Sequence, residues 1–74
     1  MEPEGLGLAI RRRRTALGLT LNDAAERAGM NAGALGPIER YFVHRIPRRL
    51  HDIARALDTT SDALLAESRP ATGG

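Results

Sequence analysis

Residues 21–40 read Leu21-Asn22-Asp23-Ala24-Ala25-Glu26-Arg27-Ala28-Gly29-Met30-Asn31-Ala32-Gly33-Ala34-Leu35-Gly36-Pro37-Ile38-Glu39-Arg40, and this stretch decides the fold. Ala25 and Gly29 stand four apart, framed by apolar residues at 24, 28, 30, 35 and 38. Two short helices cross closely only where a small side chain marks the contact. The first helix must also end on a residue that accepts the left-handed conformation. Ala25 meets the first demand and Gly29 the second. The first helix is expected from about Leu21 to Ala28, with Leu21, Ala24, Ala25 and Ala28 forming its i, i+3, i+4, i+7 face. Thr20 precedes it as N-cap, and Asp23 three residues on comes close to a capping box at the positive helix end.

The second helix should open at Asn31, a good N-cap. Pro37 is the difficulty. Six positions in, it removes an amide donor and its ring clashes with the carbonyl of Gly33, costing ~3 kcal/mol or more. Gly33 and Gly36 each add about 1 kcal/mol relative to Ala. Either a kinked helix is held by Leu35 and Ile38, or residues 31–36 form a looser turn and a helix restarts with Pro37 at its first position. The second outcome is the expectation.

Outward from this centre, a helix is expected over about Leu6–Leu17, with Leu6, Ala9, Ile10 and Leu17 on one face and Gly18 just beyond its end. Arg13 falls on that apolar stripe, where its stem can cover the core while the guanidinium reaches water. Two further helices are expected over about Pro47–Leu57, burying Leu50, Ile53, Ala54 and Leu57, and over Ser61–Glu67, opening at Thr60 and burying Leu64 and Leu65. Residues 1–5 and 68–74 look like flexible ends, leaving 6–67 as one domain.

A chain of 74 residues without cysteine has neither disulfides nor thiolate metal sites to stabilise a small core. Helix packing, or a partner chain, must do so. Its 42% apolar content is mostly Ala and Leu, with Tyr41 and Phe42 the sole aromatics, which favours an all-α fold. No apolar run approaches the ~20 residues of a membrane span and no signal-peptide pattern opens the chain, so a cytoplasmic protein is expected.

All 11 basic residues are arginine, and the net charge of +2 conceals an asymmetry, because Glu2, Glu4 and Glu67 lie in the tails. Clusters at 11–14 and at 45, 48 and 49 favour an anionic partner, nucleic acid above all. The competing reading is a solvated helix face with arginine stems over the core. Catalysis has no support. His44 and His51 are separated by Pro47, no spacing resembles a zinc site, and there is no nucleophile elbow or Gly-rich phosphate loop. Neither a metal nor a cofactor is expected.

Over roughly residues 6–66 the sequence resembles the Cro/C1-type (XRE-like) helix-turn-helix regulators of phages and bacteria. The residues carrying the resemblance are Ile10-Arg11 and Arg14, Gly18-Leu19-Thr20, Ala24-Ala25, Ala28-Gly29-Met30-Asn31 and Ile38-Glu39-Arg40. Ile53-Ala54-Arg55-Ala56-Leu57 and Thr60-Ser61-Asp62-Ala63-Leu64-Leu65 complete it. The resemblance implies a compact five-helix, lambda-repressor-like domain with a central helix-turn-helix. It also implies a homodimer on double-stranded DNA, with two units ~34 Å apart. It pairs Arg14 with Glu39 as an ion pair locking the first helix to the third. Phosphate contact falls to Thr20, Leu21 and Asn22 and to the loop after the third helix, where Arg40, Arg45, Arg48 and Arg49 supply charge.

The base-reading positions implied are Ala32, Gly33 and Pro37, with Asn31 beside them, and here the chain departs from the family. Polar side chains that bond base edges are usual there. Ala32 can touch at most a thymine methyl, Gly33 and Pro37 read nothing, and Asn31 is needed as a cap. Leu21 likewise replaces a polar residue. Tyr41 stands where a glycine usually ends the third helix, so helix is expected to persist towards Phe42 and Val43. Phe42 and Ile46 are expected to fill the core; otherwise Tyr41, Phe42 and Val43 form a surface for a protein partner. Two functions follow. One is a DNA-binding transcription regulator with weakened direct base readout. The other is a helix-turn-helix-like interaction module, an accessory subunit or antirepressor, that no longer reads DNA.

Overall fold

The computed structural model describes residues 5–41 and 46–68. Five helices follow in order: α1 (Leu6–Ala16), α2 (Leu21–Arg27), α3 (Ala32–Tyr41), α4 (Leu50–Ala56) and α5 (Ser61–Ser68). No strand occurs among the described residues. α1 packs on α3 and α5, α2 on α3 and α4, and α4 on α5. Ile10, Leu35, Ile53, Leu57 and Leu64 are the large side chains wholly withdrawn from water. Ala24, Ala25, Ala28 and Ala54 fill the gaps where helices approach.

Three helix ends repeat one device. After α1, Gly18 (φ +71°) lets its own amide bond the Thr15 carbonyl at 3.0 Å and the Leu19 amide bond Arg14 at 3.1 Å. After α2, Gly29 (φ +75°) does the same, with the Met30 amide 2.9 Å from the Ala25 carbonyl. After α4, Asp58 takes the left-handed place (φ +55°), and the Thr59 amide bonds Ala54 at 2.9 Å. All are paired reversals that satisfy carbonyls otherwise orphaned at a helix end. Asparagine and aspartate tolerate this conformation better than most residues with a Cβ.

α3 departs from expectation. It is one helix from Ala32 to Tyr41 with Pro37 inside it, not a turn followed by a restart at Pro37. The Asn31 side chain starts it, its Oδ1 accepting the Ala34 amide at 2.9 Å. Leu35 is buried and Ile38 packs partly buried on the core, so tertiary burial, ~1.5–3 kcal/mol for Leu35 and less for Ile38, offsets the proline's penalty. Gly33, whose carbonyl loses the Pro37 donor, is exposed and open to water.

Other boundaries also shift. α4 begins at Leu50 rather than Pro47, because Arg49 (φ −95°, ψ 21°) is not helical. Pro47 forms a turn whose carbonyl accepts the Leu50 amide at 3.1 Å. Pro47 is buried while Ile46 is 65% exposed, so Ile46 does not fill the core as expected. Leu17, beyond the last turn of α1, is 37% exposed. Gly5 is buried as the N-cap of α1, and α5 takes in Ser68, so both belong to the packed domain rather than to loose ends. The remaining tail residues, 1–4 and 69–74, lie outside the described residues, as do Phe42, Val43 and Arg45.

Candidate nucleic-acid interface

α2 and α3 cross with Ala25 fully buried between them. A second small residue brings them closer. A Cβ on Gly36 would stand 3.3 Å from Cδ2 of Leu21, so Leu21 lies against the backbone of α3. Leu21 is therefore a partly buried packing residue. At the start of α2 the expected capping box is complete: the Asp23 amide donates to Thr20 Oγ1 at 3.1 Å, and the Thr20 amide to Asp23 Oδ2 at 3.2 Å. Hydrogen bonds from Thr20 hold the Asp23 carboxyl below its usual pKa. Both polar groups of Thr20 are thus engaged, and the exposed Asn22 keeps a side chain for a partner.

α1 is locked to α3 by the expected ion pair. Arg14 Nε donates to Glu39 Oε2 at 2.7 Å and Nη2 to Oε1 at 3.0 Å, a fork-on-fork contact, while Nη1 bonds the Leu19 carbonyl at 3.0 Å. The side chains are 14% and 6% exposed. The hydrogen bond to Glu39 raises the Arg14 pKa, against the opposing effect of burial. Close approach of the two backbones depends on Gly7: a Cβ there would overlap the carbonyl oxygens of Ile38 and Glu39.

The arginines fall into two sets. Arg13 donates from Nε to Leu57 O and from Nη2 to Asp58 O, each at 3.0 Å, closing the end of α4. Its guanidinium does not simply reach water from the apolar stripe. Arg49 closes the end of α2, with Nη2 2.9 Å from Ala28 O and Nη1 3.4 Å from Gly29 O, while its Nε bonds Asp52. Arg49 is therefore engaged as a structural clamp between α2 and α4. Arg11, Arg40 and Arg48 are exposed, with no carboxylate partner among the described residues. Arg40 stands 5.8 Å from the ring centroid of Tyr41, which is 71% exposed.

Exposed α3 is smooth. Asn31 is engaged as a cap, and Ala32, Gly33, Gly36 and Pro37 line an open depression of about 690 Å³. Leu8 and Leu21 add apolar wall, Arg11 and Arg40 guanidinium groups, and the Arg14–Glu39 pair closes one side. Arg40 bends back over the helix, its Nη2 3.7 Å from where a Gly36 Cβ would be.

Residues 6–67 match the family described as the helix-turn-helix domain. The chain belongs to that family. Among solved structures, two of the clp gene regulator ClgR from Corynebacterium glutamicum resemble it. One is 31% identical, with a TM-score of 0.74 over 89% of this chain and 86% of ClgR as crystallised. The other is 30% identical, with a TM-score of 0.76 over 89% of this chain and 70% of that one. The solution structure of the DNA-binding domain of the P22 C2 repressor is 25% identical, with a TM-score of 0.79 over 99% of this chain and 96% of that domain. No curated protein matches the chain. Five helices in this arrangement are the lambda-repressor-like fold.

Within the helix-turn-helix domain, sequence reasoning missed Gly7, the seating of Leu21 on Gly36, and the side chains of Leu8 and Arg11 beside α3. A glycine inside an otherwise apolar helical pattern was the available signal for Gly7. No helix among the described residues is long and apolar enough to cross a membrane.

Proposed function

We propose that this helix-turn-helix domain is a Cro/C1-type transcription regulator that binds double-stranded DNA as a homodimer in the cytoplasm, with direct base readout by α3 weakened. The observation that carries the reading is the exposed side of α3: a nearly side-chain-free surface flanked by Arg11 and Arg40, neither held by a carboxylate among the described residues. An unneutralised guanidinium beside a helix that can approach a groove is suited to phosphate. Similarity to the clp gene regulator ClgR and to the P22 C2 repressor DNA-binding domain supports it. Asn22 and Arg48 are assigned to phosphate contact and Ala32 and Gly33 to close approach. Arg45 stays with the phosphate set on its sequence position.

The test is fluorescence anisotropy with random-sequence duplex at ~50 and ~200 mM salt. Tight binding at the lower salt, falling steeply at the higher, is the expected result. Negligible binding at both would favour the second reading, an interaction module that no longer reads DNA. That alternative draws on the exposure of Tyr41 and Ile46 on either side of residues 42–45.

A further inference from the structure

We infer that the main-chain carbonyl of Gly33 is a base-reading group, accepting a hydrogen bond from the exocyclic amino group of adenine or cytosine in the major groove. This rests on the DNA-binding reading and names the base chemistry that its surface recognises.

In an α-helix each carbonyl accepts the amide four residues on. At the start of α3 the Asn31 carbonyl accepts the Leu35 amide at 3.1 Å. The same rule pairs Ala32 with Gly36 and Ala34 with Ile38. Gly33 is the exception in this turn, because Pro37 stands where its donor should be and carries no N–H. One acceptor is thus released from a helix that otherwise stays whole. Gly33 is exposed, has no side chain to screen its backbone, and lines the same open depression as Pro37. The nearest polar side chain, Asn31, already has its oxygen engaged by the Ala34 amide. A base edge brought against Ala32, Gly33 and Pro37 therefore meets one acceptor among apolar atoms. In the major groove adenine and cytosine present an amino donor, whereas guanine and thymine present a keto acceptor. An amino group satisfies the Gly33 carbonyl. A keto oxygen leaves two acceptors face to face, both stripped of water, which is unfavourable. The carbonyl so separates adenine and cytosine from guanine and thymine on one strand, a distinction the side chains of Ala32 and Pro37 cannot make.

The experiment selects duplexes from a random-sequence pool with the unaltered protein. Amino-bearing bases should exceed keto-bearing ones at one position by about two- to tenfold, the net worth of one hydrogen bond. In a selected duplex carrying adenine there, replacing it by purine, which lacks the amino group, should weaken binding by a similar factor. Pro37→Ala, which returns an amide to the Gly33 carbonyl, should bind the adenine and purine duplexes alike. Equal selection of amino- and keto-bearing bases at every position, with steep salt dependence intact, would overturn this inference and leave DNA binding standing. An undiminished purine penalty in Pro37→Ala would also overturn it, because another group would then be reading the amino group. No binding to any duplex would overturn the DNA-binding reading itself. Selection and the purine comparison both use the unaltered protein, so they can refute the inference even if the variant misfolds.

Discussion

Arg49, just before α4, donates from Nη2 to the carbonyl oxygen of Ala28 at 2.9 Å and so closes the end of α2, twenty-one residues away. Arg13 performs the same service for α4 through Leu57 and Asp58. Cationic donors at helix C-termini satisfy orphan carbonyls and oppose the negative end of the helix dipole. Part of what looks in the sequence like a nucleic-acid charge cluster is therefore a set of clamps between helices.

Arg49→Ala should lower stability by about 1 kcal/mol, below the usual worth of a hydrogen bond to a charged group, because the side chain is 47% exposed and partly screened by water. For a domain of this size that is ~4–8 °C in a thermal melt. Arg48→Ala should leave the melt within ~0.5 kcal/mol and alter only DNA affinity. Equal melts for the two variants would refute the clamp.

Glu39→Ala strands the Arg14 guanidinium between α1 and α3. The expected loss is ~3–5 kcal/mol, the scale for breaking a buried pair by removing one partner. An arginine guanidinium stays charged throughout any ordinary pH range, so Arg14 cannot escape by neutralising once Glu39 is gone. Denaturant titration measures the loss directly; an unchanged midpoint would count against the lock.

Gly7→Ala and Gly18→Ala should differ for a physical reason. At Gly7 the new methyl meets the carbonyls of Ile38 and Glu39, which are backbone and cannot swing aside, so a loss of ~3 kcal/mol or more is expected. At Gly18 there is open space, and the left-handed conformation alone should cost ~1–2 kcal/mol. Urea midpoints in the reverse order would contradict the close α1–α3 approach.

Pro37→Ala should stabilise the domain. It restores an amide donor facing the Gly33 carbonyl, worth ~3 kcal/mol in a helix interior, less up to ~1 kcal/mol for the freer unfolded chain. A higher melting temperature with greater helical circular dichroism is the expected outcome. A lower one would mean that α3 needs the proline.

The Asp23 carboxyl has a lowered pKa in the folded state because Thr20 bonds its charged form. Its contribution is present above the ordinary value of 3.8 and is lost as pH falls through the folded value. Asp23→Asn should therefore flatten part of the acid limb of stability against pH and change little of the alkaline limb. Superimposable acid limbs would remove the Asp23 charge as a source of stability.

Several features of this protein were written in stretches of a few residues. The reversals at Gly18 and Gly29, the capping box at Thr20, the Asn31 cap and the inward faces of α1, α2 and α4 all arise from neighbours along one helix. Local spacing is enough to specify them. The Arg14–Glu39 pair came from resemblance to a family, since no local rule joins residues so far apart. Only the packed tertiary structure decided that α3 runs through Pro37, because burial of Leu35 and Ile38 outweighs a local preference for a break. It also decided which arginines are held by helix-end carbonyls, because guanidinium fate depends on which carbonyl lies across the interface. Gly7 and Gly36 matter for the same reason: their significance is the backbone or side chain brought against them, and that neighbour comes from another helix.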